Sequence, residues 1–122
     1  MDFFIRQGAT DPILKLRLVD DGKNDKSSFN ELLENSSITF DMIDIKTNEP
    51  ILLNELCSIT TRTKKFDNIT DEYYIIYRFT EDGTAIPGKF EGIVTIQFLD
   101  SSSKPTSKLI VPIKEKLYIN II

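Results

Sequence analysis

Apolar residues recur at every second position through most of this chain. Leu14, Leu16 and Leu18 alternate with Lys15 and Arg17, and Ile38, Phe40 and Met42 alternate with Thr39 and Asp41. Tyr73, Ile75, Tyr77 and Phe79 repeat the pattern, as do Phe90, Val94, Ile96 and Phe98, and then Leu117, Ile119 and Ile121. A period of two places one set of side chains on one face of an extended strand, so each segment reads as a half-buried β-strand. Strands of this kind must cover their apolar faces against one another, and the turn signals recur about every ten residues. The pattern predicts an all-β fold, an immunoglobulin-like antiparallel sandwich of seven or eight strands, with a barrel as the alternative.

With 122 residues and no internal repeat or linker, the chain reads as one domain spanning 1–122, long enough to bury a continuous core. The phase of each strand assigns Leu16, Phe40, Tyr77, Phe79, Phe90, Ile96 and Ile119 to that core. Ile43 and Ile45 continue the Ile38–Met42 pattern in the opposite phase, which predicts a bulge or a strand crossing near Met42–Ile43. Leu53 to Thr63 reads as one weaker strand, and Pro112 interrupts a strand suited to a sheet edge. One short helix is expected over Ser27–Asn35, capped by Ser27 or Ser28, with Leu32 and Leu33 on its apolar side.

The residues argue against catalysis. There is no histidine, which removes the commonest general base and the usual zinc ligand. The glycines are dispersed and form no phosphate-cradling loop. Carboxylate pairs such as Asp41 with Asp44 and Glu81 with Asp82 are what 19 acids in one chain produce by chance. Asp20–Asp25 lacks the EF-hand order, because Gly22 comes too early and the late Glu is missing, so a solvated loop is expected. No cofactor or metal is implied. Cys57, the single cysteine, reads as a small buried hydrophobe in a fold held without disulfides.

The net charge of −4 and the scattered basic residues argue against direct nucleic-acid binding. Arg62, Lys64 and Lys65 form the one short basic run and read as a solvated strand edge. No apolar run approaches a membrane span, and Asp2 stands where a signal peptide is basic, so synthesis in a cytoplasm without membrane insertion is expected. The sequons at Asn35 and Asn68 read as chance, and Tyr73, Tyr74 or Tyr118 could offer an aromatic platform to a sugar.

Four segments carry a resemblance to a known family. They are Arg6–Pro12 leading into Ile13–Leu16, then Leu18–Gly22, then Ile38–Met42, and finally Tyr77–Thr84 running through Pro87–Phe90. In order and spacing they resemble the immunoglobulin-like N-terminal domain of the phage baseplate upper protein family. The resemblance implies a non-enzymatic virion protein, made in the host bacterial cytoplasm, that docks in symmetric copies on other phage structural proteins of the tail, baseplate or head–tail junction. A capsid decoration protein and a carbohydrate- or receptor-binding module are the alternatives. The matching residues read as structural: Gly8, Asp82, Gly83, Thr84 and Gly88 as loop formers, with Gly83 and Gly88 expected at positive φ. Apolar residues on both faces of the last strand make Phe3, Phe4, Tyr118 and Ile122 the candidate partner contacts, unless the two chain termini cover one another.

Overall fold

The computed structural model describes residues 1–18, 35–63 and 70–122. Residues 27–34 of the expected helix, the Asp20–Asp25 loop, Lys64 and Lys65 lie outside them. Nine strands run through the described residues: β1 (Asp2–Ile5), β2 (Leu14–Leu18), β3 (Ser36–Asp44), β4 (Pro50–Leu56), β5 (Ser58–Thr63), β6 (Thr70–Tyr77), β7 (Gly88–Leu99), β8 (Pro105–Val111) and β9 (Leu117–Ile121).

They form two packed sheets. The larger has the order β1-β9-β7-β3-β4, with β8 also paired to β7, and the smaller has the order β2-β6-β5. A three-strand layer facing a larger one, with consecutive strands exchanged between them, is the sandwich arrangement of immunoglobulin-like domains. The long strand β7 is its spine. One edge of β7 pairs with β3 in unbroken register from Ser36↔Phe98 to Asp44↔Phe90. The other edge takes β9 along Gly88–Gly92 and then β8 from Val94 to Leu99.

The alternating residues of both sheets meet in one core. All seven residues assigned to it from strand phase are buried. The ring of Phe40 on β3 lies 4.7 Å from that of Tyr77 on β6, which ties the two sheets together. Phe79 packs edge-on against both rings, at 5.8 Å from Phe40 and 5.0 Å from Tyr77. Such pairs add about 0.5–1.5 kcal/mol beyond the area they bury.

Three features differ from the sequence expectation. Leu53–Thr63 is not one strand: the chain leaves the larger sheet at Cys57 and enters the smaller one, with the Cys57 amide donating to Ile38 O at 3.0 Å. The irregularity near Met42 is present, but the extra residues sit on β4, so β3 keeps its phase. Asn54 there adopts φ 54°, and its amide donates to the Asp41 carboxylate at 2.7 Å. Lastly, one pairing is parallel. β1 runs beside β9 with Phe3↔Ile119 and Ile5↔Ile121 in register, which brings the strand count above eight.

Candidate functional site

The loop residues singled out from the sequence come together at one end of the sandwich. Thr84 has no exposed surface, and its hydroxyl lies 2.9 Å from the Ala9 carbonyl that it donates to. The Gly8 amide donates back to Thr84 O at 2.9 Å, with Gly8 at φ 78°. Gly88 adopts φ 152°, a region open to glycine and strained for other residues. Gly83 does not have the positive φ expected of it. Its constraint is space, because a Cβ there would stand 3.2 Å from Thr80 Oγ1 and 3.5 Å from Leu52. Asp82 is exposed and contributes its carbonyl, which accepts from the Ala85 amide at 3.3 Å. The cluster clamps the loop after β6 to the segment after β1.

The four candidate contact residues do not share one surface. Phe3 faces inward and stacks on Phe79, with ring centroids 5.7 Å apart, so it belongs to the core and not to a docking face. Phe4 is 57% exposed, and β-sheet alternation puts it on the outer face with Tyr118. The Tyr118 ring lies under the Lys89 amine at 4.4 Å, and Tyr74 lies under Lys15 at 4.2 Å. Tyr73 is buried. Tyr74 and Tyr118 are half-buried, each with a lysine amine over one face. Ile122 is 66% exposed, yet its amide donates to Ile5 O and its carbonyl accepts from the Gln7 amide. The termini thus cover each other along the strand edge, and β9 has neighbours on both sides.

Other exposed aliphatic residues escape a reading by strand phase. On the β4 margin, Leu53 is 58% and Leu56 78% exposed, with Ile45 and Ile51 nearby. On the β8 margin, Ile110 and Ile113 are exposed, the latter at 76%. An apolar groove of about 330 Å³ opens beside β8, between Leu16 and Leu18 on one wall and Leu109, Val111, Pro112 and Ile113 on the other. The signal for the β4 residues was Ile51-Leu52-Leu53, where both phases of a strand are apolar.

Cys57 is half-buried at the crossover. Burial first, then the nearby Asp41 and Glu55 carboxylates, push its thiol up to about 12. A thiol held neutral in this way is a poor nucleophile. Burial, with Glu55 and Cys57, likewise raises the Tyr77 hydroxyl to about 12. Among the described residues, no three His, Cys, Asp or Glu side chains gather as a metal site, and no helix is long and apolar enough to cross a membrane. No family model matches the chain, and no curated protein or solved structure matches it.

Proposed function

We propose that this chain is a non-enzymatic structural subunit of a bacteriophage virion, an adaptor or accessory component that docks on other tail, baseplate or head–tail proteins. The observation that carries the reading is the set of large aliphatic side chains exposed along the β4 and β8 margins of the larger sheet. Sheet margins of this kind offer backbone groups for pairing and apolar side chains for specificity, which suits a protein partner. The immunoglobulin-like strand order and the family resemblance agree with such a role. A carbohydrate-binding role is less well supported, because Tyr73 is buried and Lys15 and Lys89 each occupy one face of Tyr74 and Tyr118.

Antibody raised against the purified chain and conjugated to gold tests the proposal on intact particles. Label at the tail or neck is the expected result. Label spread over the head would favour capsid decoration instead. Antigen present in infected cells but missing from purified particles would overturn the virion reading.

A further inference from the structure

Two of the open margins of the larger sheet, those of β4 and β8, carry opposite charge. Around β4, residues 41–56 hold Glu49 and Glu55, with Asp41 and Asp44 on the neighbouring β3, against the single Lys46. Around β8, residues 104–116 hold Lys104, Lys108, Lys114 and Lys116 against the single Glu115, with Lys116 paired to Glu91 at 3.5 Å. Each strand has seven residues and, among the described residues, pairs on one side only, β4 with β3 and β8 with β7. Each margin also exposes aliphatic side chains, Leu53 and Leu56 on one and Ile110 and Ile113 on the other.

Charged side chains on a sheet edge ordinarily keep copies apart, because identical edges bring like charges together. Here the edges are not alike. Because β3 and β8 use opposite edges of β7, the acidic and basic margins lie on opposite sides of one sheet and cannot meet within one chain. We propose that copies of this chain associate head to tail, with the β4 margin of one against the β8 margin of the next. Complementary charge steers the margins together, and the exposed aliphatic residues are buried on contact. Such a contact is heterologous, so it generates a ring where the rotation closes and a filament where it does not. Register shifts on both sides of Leu52 put extra residues of β4 at Ile51 and at Leu53–Asn54, so the contact rests on side chains more than on straight backbone pairing. The inference deepens the subunit reading and rests on it for its biological use.

The test is self-association of the purified full chain. Sedimentation velocity should show assembly that grows with concentration and weakens as salt is raised, because the attraction between exposed charges is screened. Zero-length carbodiimide coupling in a mixture of isotopically light and heavy chains should join Lys108 or Lys114 of one copy to Glu49 of another. Replacing Lys108→Glu together with Lys114→Glu, both exposed, should weaken association about tenfold while leaving the circular dichroism spectrum unchanged. A chain that stays monomeric at every accessible concentration overturns the inference. So does association that the double lysine variant leaves intact, which would place the contact elsewhere. A monomer that still binds purified virion proteins would sink head-to-tail assembly alone and leave the subunit reading standing.

Discussion

Replacing Thr84→Val keeps the shape of a fully buried side chain and removes only its hydroxyl. In the parent, that hydroxyl donates to Ala9 O at 2.9 Å, its shortest contact, with Thr80 O and Glu81 O further off at 3.3 and 3.4 Å. The Thr80 carbonyl keeps a donor in the variant, because the Thr84 amide also bonds to it at 3.2 Å. The cost therefore falls mainly on the Ala9 carbonyl, which is left partly buried without this partner, and amounts to about 1–2 kcal/mol. Thr84→Ser makes the opposite change, keeping the hydroxyl and losing one methyl, for about 1 kcal/mol. Thr84→Ala loses both and should cost about 2–3 kcal/mol if the two effects add. Urea denaturation monitored by circular dichroism measures all three, with the slope m unchanged so that midpoints report stability alone. A Thr84→Val variant as stable as the parent, beside a weakened Thr84→Ser, would refute the reasoning: the position would then be a packing site and not a hydrogen-bonded clamp.

Phe40→Ala removes a ring with no exposed surface that joins the two sheets, and should destabilise by about 3–5 kcal/mol in the same assay. Gly92→Ala should cost about 1–3 kcal/mol, because its Cβ would stand 3.0 Å from both Phe40 Cε2 and Leu117 Cδ2; the penalty should shrink in a Phe40→Leu background. Alkali should unfold the protein early. Cys57 and Tyr77 hold their protons more tightly when folded, at about 12 each, than their ordinary 9.0 and 10.0. Their contribution is whole below pH 9 and is lost as pH rises towards 12, so Cys57→Ala should flatten the first part of that decline in a pH series of denaturation midpoints.

Local alternation made β2, β3, β6, β7 and β9 legible, since one face of each is buried and a period of two shows it directly. The division of Leu53–Thr63 was not legible. Strand character continues on both sides of Cys57, and no glycine or proline marks the change of sheet. The apolar residues in both phases of β9 leave open that the two termini cover one another, but no local pattern encodes the parallel pairing of β1 with β9 or its register. Phe3 illustrates the consequence: counted as a partner contact, with cover by the other terminus as the alternative, it turns inward once β1 is fixed beside β9. Thr84 sits in a polar loop between Asp82 and Pro87, where a hydroxyl residue ordinarily faces water, and only the approach of the Gly8 turn buries it. The acidic stretch 41–56 and the basic stretch 104–116 stand apart in the sequence, but only the topology puts β4 and β8 on opposite sides of one sheet.

The number of copies per particle tests the central claim most directly. Quantitative mass spectrometry of purified virions, with isotope-labelled chain as the internal standard, gives that number relative to the tail proteins. The account predicts a small fixed stoichiometry matching a symmetric ring, about six or twelve copies. Hundreds of copies in proportion to the capsid protein, or none above background, would contradict it.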